Sequence, residues 1–429
     1  MPGPLEGIKV LELTQIIAGP MCGVMLSDLG ADVVKIESPT GDGTRVIGQF
    51  MPHESKAFHV FNRGKRGMVL NLQTDDGREV LYRLIRQFDV FLINARPGVP
   101  QRLGVDYESL RSFNDRLIYL SNTAFGPEGP SAGRAGADII AQAYSGLMVG
   151  DEKVDEQGNP TLITATTPAD IGASWTSAVA VCAALFHRER TGRGQLIETS
   201  LLGAALTLQN FASARLPVSD ATFLQPSLDA IQQVREQGGS YRELLKARSG
   251  TRSTIGAAYL LYYGGYQTSD GAIMLGCLTP LNRQQVRNAL GLTESEDPTD
   301  TERFNPLEDG STGVVDEVRE RISLRFRGDT TANWVAKLDA AGAPASQVNI
   351  PEDMVDDPQV QAIGAMAEID HPLTGPERMV GPVYRMSDSP PKATGPSPIF
   401  DGDTDDILKE HGYTDSEISE LRTSGAIGV

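Results

Sequence analysis

The sequence predicts an α/β fold, with a large Rossmann-like domain built on a parallel sheet and a smaller α+β domain beside it. Three observations carry this expectation. Short runs rich in Val, Ile and Leu alternate with helical stretches over roughly the first half of the chain, the pattern of strands covered by helices on both faces. Glycines stand where such helices must stop. The length of 429 residues exceeds one compact core and suits two domains.

IKVLEL (8–13) reads as the first strand, followed by a helix over about 20–29 that Gly30 ends. DVVKIE (32–37), MVLNL (68–72), DVFLIN (89–94) and LIYLSN (117–122) are further strands, and Thr74 opens the helix carrying LYRLIRQF. DIIAQAYSGLM (138–148) is helical, as is a long stretch from Pro168 to about Arg190 that Gly192 and Gly194 close. QLIETS then returns as a strand. Charged helical patterns at LDAIQQVREQ and YRELLKARS, joined by Gly238 and Gly239, suggest a helical connector or arm over 206–256. YYGGYQTSDGAIMLG resembles a hairpin within a small α+β domain over 257–329. The remaining segment carries PxxGP and SPP turns and ends in a polar helix.

Composition removes several function classes. A net charge of −18 repels nucleic acid and anionic lipid. No uninterrupted apolar run reaches the length needed to span a bilayer, and no secretory signal precedes the first strand, so a cytoplasmic location is expected. Cys22, Cys182 and Cys277 are widely spaced among apolar neighbours, which suits buried thiols in a reducing compartment. The five histidines show no metal-ligand spacing, so no metal is expected.

The first strand–helix turn, TQIIAGP, lacks the G-x-G-x-x-G of dinucleotide binding, and Glu37 at the end of the second strand is a weak ribose ligand by itself. A nicotinamide or flavin cofactor is disfavoured. Asp170, in ATTPADIGASW, admits two readings. With Thr167 as N-cap and Pro168 at the first helical position, it is the acid of a capping box. The same place lets the helix dipole hold the carboxylate ionised, with Ala169, Gly172 and Ala173 leaving room for an electrophile. Such a carboxylate forms a mixed anhydride with an acyl group. Arg63, Lys65 and Arg66 in NRGKRG, with Arg96 and Arg102 further on, lie near predicted strand ends. They are either solvated loop charges or a cradle for phosphates.

Taken together, VLELTQIIAGPMC, LGADVVKIE, NRGKRGMVLNL, DVFLINARPGVPQRLG, LIYLSNTAFGPEGP, ADIIAQAYSGLM, the TPADIGAS turn and HRERTGRGQLIETSL resemble the class III (CaiB/BaiF-type) coenzyme A-transferases. AAGAPASQVN, DPQVQAIG, HPLTGPERMVGPV and LKEHGYTDSEISELR extend the likeness nearly end to end. That family includes formyl-CoA transferase, carnitine CoA-transferase and α-methylacyl-CoA racemase, and the chain resembles the transferases more than the racemase.

The resemblance implies an acyl-CoA:carboxylate CoA-transferase in which the family's nucleophilic aspartate falls on Asp170. Its coenzyme A contacts fall on Gln15, Ile17 and Ala18, on Leu70, Asn71, Leu72 and Gln73, on Asn94, Ala95 and Arg96, on Arg102, and on Ala135, Gly136, Ala137 and Asp138. Coenzyme A enters as part of the substrate, and no tightly bound cofactor is implied. Acyl-CoA donor and carboxylic-acid acceptor meet in a chain whose large domain, here 1–205 with 330–429, pairs with a second copy as an interlocked homodimer. Aspartyl-anhydride and aspartyl-CoA thioester intermediates are implied, with backbone N–H groups near Ala18 and Gly19 facing the oxyanions. Ala137 stands where the racemase has a histidine, and Thr279 where it has a glutamate, so the two bases of a racemisation are missing. Gln15 and Ser38 replace a histidine and an arginine of formyl-CoA transferase. A 2-methylacyl-CoA racemase or epimerase and a non-catalytic acyl-CoA-binding protein are the alternatives.

Overall fold

The computed structural model describes residues 2–256, 258–293, 297–299 and 311–428. Parts of the small domain expected over 257–329 therefore lie outside the described residues. The chain forms two compact units. The first comprises 1–153, 161–214 and 355–429, and the second 154–160 and 215–354.

Strands β1 (Lys9–Leu13), β2 (Asp32–Glu37), β3 (Arg66–Val69), β4 (Val90–Ile93), β5 (Ile118–Thr123) and β6 (Gln195–Ser200) build the first unit's main sheet. Every pairing is parallel, and the order is β3-β2-β1-β4-β5-β6. This is the order of a doubly wound Rossmann sheet, whose direction of winding reverses between β1 and β4. Side chains alternate between two cores. Leu11, Val34, Phe91 and Tyr119 point to the face covered by α2 (Asp75–Ile85) and the C-terminal helices. Val10, Val33, Leu92 and Leu120 point to the face covered by α1 (Ala18–Asp28) and a long helix over Pro168–Thr191. A strand buried on both faces is apolar along most of its length, so these runs look nearly continuous in sequence rather than alternating, broken by the buried, ion-paired Glu12 and Lys35.

The long helix is 24 residues and holds an 18-residue window with a mean hydropathy of 1.4, enough on length and composition to cross a membrane. It packs instead along α1, with Val181, Ala184 and Leu185 in the core. The third strand ends earlier than expected. Asn71 takes the chain out of it, because its carbonyl accepts from Thr74 N and Oγ1 and its side-chain oxygen from Gln73 N. Leu70 then bridges to Ile427. The helix expected over 138–148 ends at Ser145, where Gly146 turns left-handed at φ 82°.

In the second unit, helices Gln225–Glu236 and Tyr241–Gly256 pack on each other across the Gly238–Gly239 turn. Gly265–Gln267 and Ala272–Leu275 form the expected antiparallel hairpin, and Ala345–Gln347 adds a third strand. Thr279 caps the helix Pro280–Leu290 by accepting from Asn282 N.

On re-entering the first unit, the chain makes a hairpin over Met366–His371 and Gly375–Val380, which its turn-rich pattern does not announce. It is clasped to the N-terminal region through His59, whose Nδ1 lies 2.6 Å from Glu377 and Nε2 2.8 Å from Glu54. Burial opposes a charge on the imidazole, but hydrogen bonds to Glu54 and Glu377 outweigh it and raise its pKa. His371 stacks on His59 at 4.3 Å. Glu54, His59 and His371 are the one set of three metal-donor side chains that converges among the described residues, and 312 positions of separation hid it from any spacing rule. A histidine raised in the folded state stabilises fully below its unfolded pKa and loses that contribution as pH rises through the folded one. His59→Gln is therefore expected to lower the melting temperature at pH 6 by on the order of 2–4 °C, the scale of a ~1 kcal/mol loss. The deficit should shrink at pH 9; a pH-independent deficit in scanning calorimetry would count against a charged clasp.

Candidate active site

A cavity of about 720 Å³ opens at the carboxyl edge of the main sheet, beside the point where the winding reverses. Open α/β sheets bind ligands there because strand ends and helix N-termini converge. Leu13 and Gln15 line it from the end of β1, Ile36 and Ser38 from β2, Leu70 from β3, Ile93 and Asn94 from β4, and Asn122 and Thr123 from β5.

The β1–α1 turn is held tightly. Asn94 Oδ1 accepts from Gln15 N at 2.9 Å and its Nδ2 donates to Gln15 O at 2.8 Å. Ile16 adopts φ 71°, an unfavourable left-handed conformation for a β-branched residue. Its N–H is held by Asp42 Oδ1 at 3.2 Å. Asp42 in turn faces Lys35 at 2.9 Å, and Lys35 donates to Thr14 O at 2.8 Å. Glu12 lies 2.9 Å from Lys65. Two carboxylates and two ammonium groups thus balance beneath the turn, fully or nearly fully buried. Burial draws the Lys65 ammonium down to about 8 against the pull of Glu12. Gly19 allows the start of α1 to approach β1, since a Cβ there would lie 2.4 Å from the Thr14 side chain. No side chain caps α1, so the first N–H groups of this helix, at Ala18 and Gly19, donate to no acceptor among the described residues.

The second helix to reach the cavity is the long one, designated α4 after α3 (Asp138–Ser145). Its cap is not the one expected. Thr167 has φ −101° and ψ 81° and makes no side-chain cap. Asp138 supplies it from α3, accepting from Ala169 N at 2.8 Å and Asp170 N at 3.2 Å through Oδ1. Its Oδ2 accepts from Gln142 Nε2 at 2.5 Å, and Gln142 Oε1 accepts from Ile163 N at 3.0 Å. The loop before α4, α3 and the helix start are therefore one hydrogen-bonded unit.

Asp170 is left bare. It is 8 % exposed, lines the cavity, and its carboxylate accepts no hydrogen bond from a described residue. Burial first, and the Asp138 charge second, push its pKa up to about 7. This corrects the expectation that the helix terminus keeps it ionised, because the N–H groups that would do so are spent on Asp138. The result is a poorly solvated carboxylate, and such an anion is a better nucleophile than one wrapped in water or amides.

Of the remaining residues implied by resemblance, Gln15, Ala18, Leu70, Asn71, Leu72, Gln73, Asn94, Ala95, Arg96, Gly136, Ala137 and Asp138 line the cavity with Asp170. Ile17 is the half-buried N-cap of α1, Arg102 lies exposed on the short helix Val99–Leu103, and Ala135 is exposed beside Gly136; none of these three is on the wall. Asn94 lines the wall and also holds the turn through both amide atoms, each of which keeps one further donor or acceptor position. The basic run of NRGKRG is not a phosphate cradle. Arg63 pairs with Asp28, Lys65 with Glu12, and Arg66 with Asp32 and Glu410. Glu37 is likewise committed, bidentate to Arg45 at 2.7 Å. Ile16, Pro39, Thr40, Thr123, Arg134 and Leu201 line the wall without having been singled out. The strand-end rule would have flagged Pro39, Thr40 and Thr123; nothing local marks Leu201.

A family model for CoA-transferase family III matches residues 5–404. Human succinyl-CoA:glutarate CoA-transferase is 28% identical, with 99% of this chain and 90% of that protein covered. Succinate–glutarate CoA-transferase of Agrobacterium fabrum is 32% identical over 95% of each chain. The crystal structure of a CaiB/BaiF family protein from Brucella suis superposes with a TM-score of 0.72 at 29% identity, covering 96% of this chain and all of that one. The match runs through every segment that builds the cavity, and the chain belongs to CoA-transferase family III, as a CoA-transferase.

Proposed function

We propose that the protein moves coenzyme A from an acyl-CoA to a free carboxylic acid through covalent intermediates on Asp170. The observation that carries this reading is the bare, buried carboxylate of Asp170 in one cavity with Ala18 at the uncapped start of α1. Asp170 attacks the thioester carbonyl, the C–S bond breaks, and an aspartyl–acyl anhydride and CoA thiolate result. The thiolate attacks the aspartyl carbonyl, releasing the first acid and leaving an aspartyl-CoA thioester. The acceptor carboxylate attacks that thioester, expelling the thiolate and giving a second anhydride. Thiolate attack on the acyl carbon then yields the new acyl-CoA and restores Asp170. Each step exchanges one activated acyl bond for another, so no external energy source enters. The uncapped N–H groups at the start of α1, at Ala18 and Gly19, are the donors proposed for the tetrahedral oxyanions. Arg96 is the cavity cation suited to the phosphates of coenzyme A. Ala137 offers no proton acceptor beside Asp138, which weighs against racemisation.

A second copy completes the proposed enzyme. Trp175, Val179 and Phe186 stand exposed along α4, and Phe211 is almost wholly exposed. Apolar groups so placed mark a face that another chain covers. An interlocked homodimer in the cytoplasm suits them. Val179→Asp is expected to shift the mass in light scattering from dimer towards monomer at micromolar concentration; a wild-type monomer would refute the dimer.

Incubation with an acyl-CoA should add coenzyme A covalently to Asp170, seen by peptide mass spectrometry. Asp170→Ala should lower kcat by at least about 10⁴-fold, and retained turnover would end the proposal. Because the anion is the reactive form, kcat/KM of the wild type should rise with pH and level off above about 7. Stability runs the other way. A carboxylate raised in the folded state binds more protons there, so stability falls as pH climbs from 3.8 to about 7. Asp170→Asn should therefore stabilise the protein at pH 8, by on the order of 1–4 kcal/mol at 1.36 kcal/mol per pKa unit, and leave it unchanged at pH 4 in denaturant titrations.

A further inference from the structure

The cavity holds a cation that no carboxylate among the described residues pairs with. Arg134 lines the wall together with Asp138, Asp170 and Leu201. Its guanidinium lies 5.2 Å from the ring centre of Phe125 and 5.5 Å from that of Tyr144. The two rings meet edge to face at 5.0 Å. Ser131 Oγ is 3.1 Å from the Tyr144 hydroxyl and accepts from Arg134 Nη1 at 3.4 Å. No carboxylate among the described residues pairs with Arg134, although acidic residues outnumber basic ones 56 to 38. Most other basic groups near the sheet edge, including Lys35, Arg45, Arg63, Lys65 and Arg66, are neutralised internally. An aromatic pair with a hydroxyl brace holds a guanidinium in place without neutralising it, so less side-chain entropy is lost when an anion binds.

Position then selects the anion. Arg134 precedes Asp138, the cap of Asp170, by only four residues, a backbone span of at most ~14 Å. Between them Gly136 brings the backbone against Ala124, where a Cβ would lie 2.3 Å from the alanine methyl. Ala137 and Leu201 give that part of the wall an apolar lining. Arg134 and Asp170 thus line the same cavity, with this apolar stretch among its walls.

On the reading that Asp170 is the nucleophile, we infer that Arg134 binds the distal carboxylate of a dicarboxylic acyl group, making this a transferase for short dicarboxylic acids. The competing ligand of the same charge is a coenzyme A phosphate, which is common to every acyl-CoA and therefore carries no preference among acids.

The experiment compares succinate and glutarate with butyrate and valerate as acceptors, for wild type, Arg134→Gln and Arg134→Lys. Loss of a charge-assisted pair should lower the dicarboxylate-to-monocarboxylate ratio of kcat/KM by about 100-fold in Arg134→Gln. Arg134→Lys should fall between, since an ammonium keeps the charge but loses the forked geometry. An unchanged ratio, or a rise in KM for every CoA thioester alike, overturns the inference and assigns Arg134 to the coenzyme. Adduct formation on Asp170 from succinyl-CoA, followed in wild type and Arg134→Gln by mass spectrometry, keeps the two readings apart. An adduct with unchanged selectivity sinks the role of Arg134 alone. Absence of the adduct in wild type as well would sink the nucleophile instead.

Discussion

The carboxylate of Asp138 accepts the first free N–H groups of α4, and by doing so it takes the place that Asp170 would otherwise fill. A helix start is electropositive and binds one anion well. Here two acidic side chains compete for it, and the one on the neighbouring helix wins. The loser is buried, near a like charge, and without a hydrogen bond, so its carboxyl holds its proton up to about 7. Had Asp170 capped its own helix, it would have been stable, ionised and chemically quiet. The reactivity proposed for this site is thus a consequence of a cap supplied from elsewhere in the fold.

That arrangement depends on rigid surroundings. Gln142 fixes Asp138 and also grips the backbone at Ile163, so the loop leading into α4 cannot drift from α3. On the opposite wall the β1–α1 turn carries Ile16 in a left-handed conformation that an isolated chain would avoid. The Asp42–Lys35 and Glu12–Lys65 pairs beneath it supply the compensating order. Buried ion pairs add little net stability, but an array anchored to Thr14 O and Ile16 N specifies where the turn must sit. Asn94 ties the same turn to the end of β4, across the reversal of winding.

Charge use in this chain separates structure from chemistry. The arginines and lysines that cluster in sequence, in NRGKRG, are spent on internal pairs: Arg63 and Lys65 on the buried Asp28 and Glu12, and Arg66 on Asp32 and on Glu410 of the C-terminal segment. The cations left facing the cavity, Arg96 and Arg134, are scattered in sequence and stand outside any basic run. Clustering of like charges along a chain says little about which of them stays free, because an acidic fold offers each one a carboxylate.

By itself the sequence determined the sheet and its covering helices. Runs such as VFLI are apolar at every position, as a strand buried on both faces allows, and Gly30 and Gly192 set helix ends through local backbone conformation. The carboxyl edge of the sheet, and with it most of the cavity wall, follows from those strands. Tertiary structure alone decided which polar groups were free. The capping of α4 by Asp138 rather than Thr167, the neutralisation of Arg63, Lys65 and Glu37, and the meeting of His59 with Glu377 join residues up to 318 positions apart. Local patterning fixes backbone conformation over a few residues, whereas a hydrogen bond or ion pair is settled only when distant segments compete for the same atom.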